Sequence, residues 1–90
     1  MKVFQKPSFQ RAYKKLHASQ KKVVDEAIRA IMADPLCGEA KKGELTGVRV
    51  HKFSMVKQLT LLAYTYEDQI VTLTLLAIGP HENFYRDLKR

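Results

Sequence analysis

The sequence lacks the residues that hold together many small extracellular or metal-binding domains. Cys37 is the only cysteine among 90 residues, so the chain cannot form an internal disulfide and lacks the companions of a cysteine-based zinc site. No apolar run approaches the roughly 20 residues of a membrane span. The N-terminal stretch MKVFQKPSFQ also lacks the apolar segment of a secretory signal. These absences predict a cytoplasmic protein with no metal, no cofactor and no membrane association.

Acidic residues are also scarce. Nine Asp and Glu stand against sixteen Lys and Arg, which gives a formal net charge of +7 and a sequence pI near 9.7. On so small a surface this charge favours nucleic acid, another polyanion or an acidic protein as partner. The apolar fraction of 46% is typical of a globular chain. The length predicts one domain that spans residues 1–90.

The first half of the chain shows the period of two helices. Apolar residues recur at the i, i+3, i+4, i+7 spacing of one helical face within residues 9–16, and again within residues 24–31. We expect Pro7 in the first turn of the first helix and Ser19 at the N-cap of the second. Pro35 should end the second helix, because proline disfavours helix in the residue before it. The two apolar faces must be buried by packing against another part of the fold.

After a glycine-containing loop the period changes to two. The stretches VRVHKF (48–53), LTLLAYTY (59–66) and QIVTLTLLAI (69–78) are rich in β-branched and aromatic residues. They predict three antiparallel strands, with Glu67 and Asp68 in the hairpin connection between the last two.

Together these elements predict an α+β domain. A short N-terminal strand at residues 2–5 and a helical hairpin precede the loop at residues 36–47, which should contain a short strand near Glu44 and Leu45. We expect about four strands in a twisted antiparallel sheet with the two helices on one face. A short helix or tail follows from Phe84. The other face of such a sheet is open enough to carry a site.

Three stretches, in this order, resemble a known family. They are DPLCGEAKKGELTGVRVHKF (34–53), LLAYTY (61–66) and AIGPHENFYRDLKR (77–90). With the predicted order of elements they are similar to the RelE/ParE superfamily, the toxin halves of bacterial type II toxin–antitoxin pairs, over essentially the whole chain. RelE-like members cut mRNA in the ribosomal A site, whereas ParE-like members poison DNA gyrase. Because both share one fold, the site must decide between them.

The C-terminal stretch resembles the YafQ-like branch, since Gly79, His81 and Tyr85 repeat its G-x-H-x-x-x-aromatic spacing. The resemblance implies a ribosome-dependent mRNA endonuclease that needs no metal, because the ribose 2′-hydroxyl attacks the adjacent phosphorus. His81 would be the general acid or base, and Tyr85 would donate a proton or stack on a base. Arg49, in the L-x-G-x-R stretch, would bind phosphate. The other candidates for substrate contact are Lys52, His51, Lys57, Arg86 and Glu82.

The resemblance also implies partners. A cognate antitoxin should bind the toxin in a hetero-oligomer, and an acidic one would suit the charge of +7. The ribosome and mRNA would be the targets, so that the toxin inhibits translation and growth. Two alternatives stay open because His51 is the only nearby match to the histidine–histidine–aspartate set of the YafQ-like branch. They are a ParE-like gyrase poison and an inactive binding module with the toxin fold.

Overall fold

A computed structural model describes residues 1–69, 72–82 and 84–88 of the chain. Its described strands form one mixed sheet in the order β1-β5-β4-β3-β2. None of its described helices is long and apolar enough to cross a membrane. The elements are β1 (Lys2–Gln5), α1 (Pro7–Lys14), α2 (Ala18–Ala33), β2 (Glu39–Ala40), a 3-10 turn (Gly43–Leu45), β3 (Arg49–Met55), β4 (Gln58–Glu67), β5 (Thr72–Pro80) and α3 (Phe84–Leu88). The expected α+β class is confirmed.

The sheet has five described strands instead of about four, and one pair is parallel. Strands β3, β4 and β5 form the predicted antiparallel meander. Strand β1 pairs in parallel with β5, with Lys2 opposite Thr72. Parallel strands need a long crossover connection, and here the chain passes through both helices and strands β2, β3 and β4 between β1 and β5. The predicted last strand began at Gln69, but residues 70 and 71 lie outside the described residues.

The helices cover one face of this sheet, here called the helix face. The side chains of Phe9, Val24 and Ile31 are at most 1% exposed, and they pack on strand residues such as Leu62 and Tyr64. Burying each large apolar side chain contributes about 1.5–3 kcal/mol relative to exposure. The two predicted apolar stripes are therefore the side of the hairpin that meets the sheet.

The opposite face, here called the α3 face, is partly covered as well. Val50, Leu61 and Ala63 are buried there together with Phe84 of α3. Phe84 is only 6% exposed, so this residue packs the C-terminal segment onto the sheet. Its neighbour Tyr85 packs against the same cluster. The short helix α3 is thereby fixed on this face of the sheet, next to β5.

Two local predictions were wrong. Helix α2 is capped by His17, not Ser19: the His17 side chain accepts the Gln20 backbone N–H, and the Gln20 side chain accepts the His17 N–H at 2.8 Å. The short strand expected near Glu44 and Leu45 lies earlier, at Glu39–Ala40. A strand of two residues is too short to show a period, so the sequence pattern could not locate it. The end of α2 just before Pro35 is as predicted.

Candidate functional site

Five side chains meet on the α3 face, where β2, β3 and α3 come together. The Lys41 ammonium lies 4.8 Å from the centre of the Tyr85 ring. The His81 ring lies edge-on to Tyr85, with 6.4 Å between ring centres and 89° between the ring planes. One Glu39 oxygen lies 3.2 Å from the Lys41 Nζ, and the other lies 3.6 Å from the Lys52 Nζ. We call Glu39, Lys41, Lys52, His81 and Tyr85 the Tyr85 cluster.

Strand register explains how the acidic and basic members come together. Glu39 is the Cα partner of Val50, which is buried in the α3-face core. Because side chains alternate along a strand, Lys52 emerges on the same face as Val50. Lys41 follows β2 directly, and its backbone N–H donates to the Val48 carbonyl at 2.9 Å. The pairing of β2 with β3 therefore places the two lysines on either side of Glu39.

The aromatic members are placed by the end of β5 and by α3. The backbone N–H of His81 donates to the Leu59 carbonyl at 3.1 Å, which keeps this residue against the sheet while its side chain is exposed. Tyr85 is half-buried and packs edge-to-face on Phe84, with 5.5 Å between ring centres. Since Phe84 is anchored in the core, the Tyr85 ring has a fixed position beside Lys41.

Contacts within the cluster shift two pKa values. A hydrogen bond with Lys41, reinforced by the charges of both lysines, lowers the pKa of the Glu39 carboxyl below its usual value. A hydrogen bond with Tyr85, followed by contact with Glu39, raises the pKa of the Lys41 ammonium. Both groups are therefore charged at neutral pH. The cluster presents cations, a phenol and an exposed imidazole, the groups that hold a phosphate and move protons.

Arg49 and His51 lie on the helix face, because they alternate with Val50 and Lys52 along β3. The Arg49 Nη1 donates to the carbonyls of Leu36 at 3.1 Å and Gly38 at 2.8 Å, and so holds the loop after α2. The structure brings neither Arg49 nor His51 together with His81.

The His51 ring is stacked on a neighbouring phenylalanine of its own strand. The centres of the His51 and Phe53 rings are 5.9 Å apart. The His51 Nδ1 lies 3.8 Å from the sulfur of Cys37. Partial burial lowers the pKa of His51. This histidine is therefore neutral at physiological pH and belongs to the packing around the loop after α2.

The other predicted contact residues lie at three separate places. Lys57 is exposed in the two-residue turn between β3 and β4. Glu82 lines a cleft of about 380 Å³ between the start of α1 and the end of β5. Arg86 is exposed on α3, next to Tyr85. Of the eight predicted site residues, His81, Tyr85 and Lys52 share the Tyr85 cluster.

Sequence reasoning missed Glu39 and Lys41. The alternation in the stretch EAK places both on one side of an extended segment, but only the register with β3 shows that this side faces α3. Within the described part of the chain, no group of three or more His, Cys, Asp or Glu residues is placed to hold a metal ion.

The sequence matches the family described as "ParE-like toxin of type II bacterial toxin-antitoxin system" over residues 3–89. The chain therefore belongs to the ParE-like toxins of type II toxin–antitoxin systems, within the expected RelE/ParE superfamily. No curated protein gives a significant sequence match.

Solved structures of toxins and toxin–antitoxin complexes share this fold. A chain of the RelBE2 complex from Mycobacterium tuberculosis has a TM-score of 0.76 at 22% identity, over 89% of this chain and 96% of that chain. The YoeB/ParE toxin from Agrobacterium tumefaciens has a TM-score of 0.74 at 18% identity, over 90% of this chain and 99% of that chain. A chain of the Escherichia coli RelBE complex has a TM-score of 0.71 at 14% identity, over 90% of this chain and 96% of that chain. At these identities the similarity defines the fold and leaves the activity to be argued from the site.

Proposed function

We propose that this toxin is an mRNA endonuclease that acts on the translating ribosome and cleaves by attack of the substrate's own 2′-hydroxyl. The Tyr85 cluster is the observation that supports this proposal. It assembles an exposed imidazole, a phenol and two ammonium groups on one surface, and its centre is the Lys41 ammonium 4.8 Å from the Tyr85 ring. Because the nucleophile belongs to the RNA, the reaction needs no metal-activated water.

The proposed reaction transfers one proton at each end of the broken bond. The 2′-hydroxyl gives up its proton as its oxygen forms a bond to phosphorus, and the 5′-oxygen takes up a proton as its bond to phosphorus breaks. The products are a 2′,3′-cyclic phosphate and a free 5′-hydroxyl. His81 is assigned one of these proton transfers, since imidazole gives and accepts protons near neutral pH.

The other members of the Tyr85 cluster hold the substrate. Lys41 and Lys52 offset the negative charge that accumulates on the phosphate oxygens as the new bond forms. Tyr85 offers a half-buried ring on which a base stacks, and its hydroxyl is a second proton donor. Arg86 lies beside this surface as a further RNA contact. The proposed reaction assigns no role to Arg49, His51 and Lys57, because they lie away from the Tyr85 cluster.

The molecular targets are polyanions. A net charge of +7 on 90 residues gives long-range attraction to ribosomal and messenger RNA. We expect the toxin to act in the cytoplasm, where ribosomes translate the messages that it cuts, and to stop growth by inhibiting translation.

A cognate antitoxin is the proposed protein partner. Several structures with this fold were solved as toxin–antitoxin complexes, and one was solved with an antitoxin peptide. We expect an acidic antitoxin that forms a hetero-oligomer with this chain, because opposite charge accelerates encounter with a +7 partner.

Primer extension on cellular message after induction of the toxin tests the enzymatic proposal. We expect discrete cuts in translated regions, and we expect His81→Ala to reduce the cutting rate by about 10²–10⁴-fold, the usual contribution of a general acid or base. Lys41→Ala should also reduce cutting, by lowering phosphate stabilisation. The matched control is Lys22→Ala, which removes an exposed lysine from helix α2. Equal cutting by all three variants would rule out this site.

A gyrase poison is the second candidate, favoured by the family match to ParE-like toxins. Such a toxin would cause DNA breaks and an SOS response while message stays intact. Induction without any growth arrest would indicate instead an inactive binding module with the toxin fold.

A further inference from the structure

One carboxylate stands between the two lysines of the Tyr85 cluster. We propose that Glu39 is an internal competitor for the RNA phosphate: its carboxylate occupies the anion position between Lys41 and Lys52, and the phosphate must displace it to bind. This inference rests on the proposed RNA substrate. It adds a residue that sets how strongly, and to which anions, the site binds.

The geometry of the bridge is that of a bound anion. The two Glu39 oxygens are divided between the lysines, with Oε1 3.2 Å from the Lys41 Nζ and Oε2 3.6 Å from the Lys52 Nζ. A phosphodiester also presents two anionic oxygens on one central atom. An ammonium group acts as a point charge with three rotatable donors, so both lysines accept a phosphate in place of the carboxylate with little rearrangement.

Within the cluster, the Lys41 ammonium has a fixed position, whereas the Glu39 carboxylate can rotate into solvent. The Lys41 side chain is 18% exposed and lies against Tyr85, so it stays in place without Glu39. The Glu39 side chain is 59% exposed, and exposed ion pairs contribute little to stability. Rotation of Glu39 into solvent therefore breaks no buried contact and opens the site between the lysines.

An internal competitor changes selectivity as well as affinity. A single phosphate gains only the contacts that Glu39 already makes, so the exchange brings little net gain. An RNA strand adds further phosphate contacts and base stacking, so it displaces the carboxylate more readily. The site is thereby biased toward polynucleotides and against small phosphorylated molecules.

The test measures binding of a single-stranded 2′-O-methyl RNA oligonucleotide, which lacks the attacking hydroxyl and stays intact. Its dissociation constant is measured by fluorescence anisotropy over a range of salt concentrations. We expect Glu39→Gln to bind about 3- to 5-fold more tightly than the unaltered protein at low salt, the range of one exposed ion pair. Its affinity should also fall more steeply with salt, by about 0.7 in log–log slope for each phosphate newly neutralised.

Two controls separate a local effect from a general change in charge. Glu26→Gln makes the same charge change on the exposed side of α2, so any general effect of net charge appears in it. In a protein that also carries Lys41→Ala and Lys52→Ala, the Glu39→Gln change should alter affinity no more than Glu26→Gln does.

The outcomes distinguish this inference from the proposed function. If Glu39→Gln binds no more tightly than Glu26→Gln while Lys41→Ala still weakens binding, the competitor role is wrong and the RNA site stands. If neither lysine contributes to binding and induced cells show no cut message, the proposed function fails and the inference fails with it.

Discussion

The Tyr64 hydroxyl connects the loop after α2 to the centre of the sheet. The ring is fully buried. Its hydroxyl donates to the Pro35 carbonyl at 2.7 Å and accepts the Gly38 N–H at 2.9 Å. A Cβ added to Gly38 would lie 2.6 Å from that oxygen, so only glycine lets the loop approach so closely. This contact positions the segment that leads into β2 and the Tyr85 cluster.

We predict that Tyr64→Phe lowers the free energy of unfolding by about 1–3 kcal/mol, because it leaves the buried Gly38 N–H without a partner. Urea denaturation followed by circular dichroism measures the change. Tyr66→Phe is the matched control, since that hydroxyl is at the surface and bonds Asp68 at 3.3 Å. Equal losses in the two variants would contradict the role of the loop contact.

Acidification should destabilise the fold through His51. Burial lowers the pKa of this imidazole, so the folded protein disfavours its charged form. As pH falls below about 6.5, the unfolded chain binds a proton at His51 that the folded protein does not. Stability therefore decreases with falling pH until the folded pKa is passed. We expect His51→Gln to lack this part of the decrease in the free energy of unfolding between about pH 7.5 and pH 5. An unchanged pH dependence would show that His51 titrates freely.

The role of Arg49 could not be predicted from the sequence, although the α+β fold could. Both faces of β3 meet apolar layers, one under the helices and one under α3. Strand alternation separates Arg49 and His51 from Val50 and Lys52, but it does not say which pair faces which layer. The two Arg49 hydrogen bonds to loop carbonyls depend on a backbone that has no periodic signal.

At the scale of elements, the turn between β3 and β4 is strained. Val56 and Lys57 have φ values of +51° and +61°. Positive φ at both central residues is what a two-residue hairpin turn of type I′ requires. Glycine and asparagine adopt such values readily, whereas a β-branched residue does so at a cost of about 1–2 kcal/mol. Val56 is also 75% exposed, so burial of its side chain does not offset the cost of the strained backbone.

Replacing the turn by Asn-Gly, through Val56→Asn with Lys57→Gly, should raise the free energy of unfolding by about 1 kcal/mol. Val56→Thr is the control, because it adds polarity and keeps the β-branch, so it should give no comparable gain. Thermal and urea unfolding measure both variants. No gain from Asn-Gly would show that the turn carries no strain.

The longer elements were predictable because each has a clear period. The stripe within residues 24–31 and the alternation within residues 48–53 predicted α2 and β3. Strand β2 could not be predicted, because its two residues form no periodic pattern and its partner strand begins nine residues later. The Tyr85 cluster depends on that pairing. Its members come from segments some forty residues apart, so sequence spacing alone could not bring Lys41 to Tyr85.

At the scale of the molecule, charge should control binding to RNA. With three phosphate contacts, affinity for a single strand should fall about 20-fold when salt rises from about 50 to 200 mM. Measurements with the 2′-O-methyl oligonucleotide test this expectation, and Lys52→Ala should reduce the slope. An affinity that does not respond to salt would contradict a site built on phosphate contacts.

The parallel pairing of β1 with β5 joins segments some seventy residues apart, since Lys2 lies opposite Thr72. During synthesis β1 leaves the ribosome long before its partner exists, and this long-range contact forms only after residues 72–75 have been made. His81 and Tyr85 emerge later still. A nascent copy therefore has neither this sheet edge nor the complete Tyr85 cluster until β5 and α3 have been synthesised.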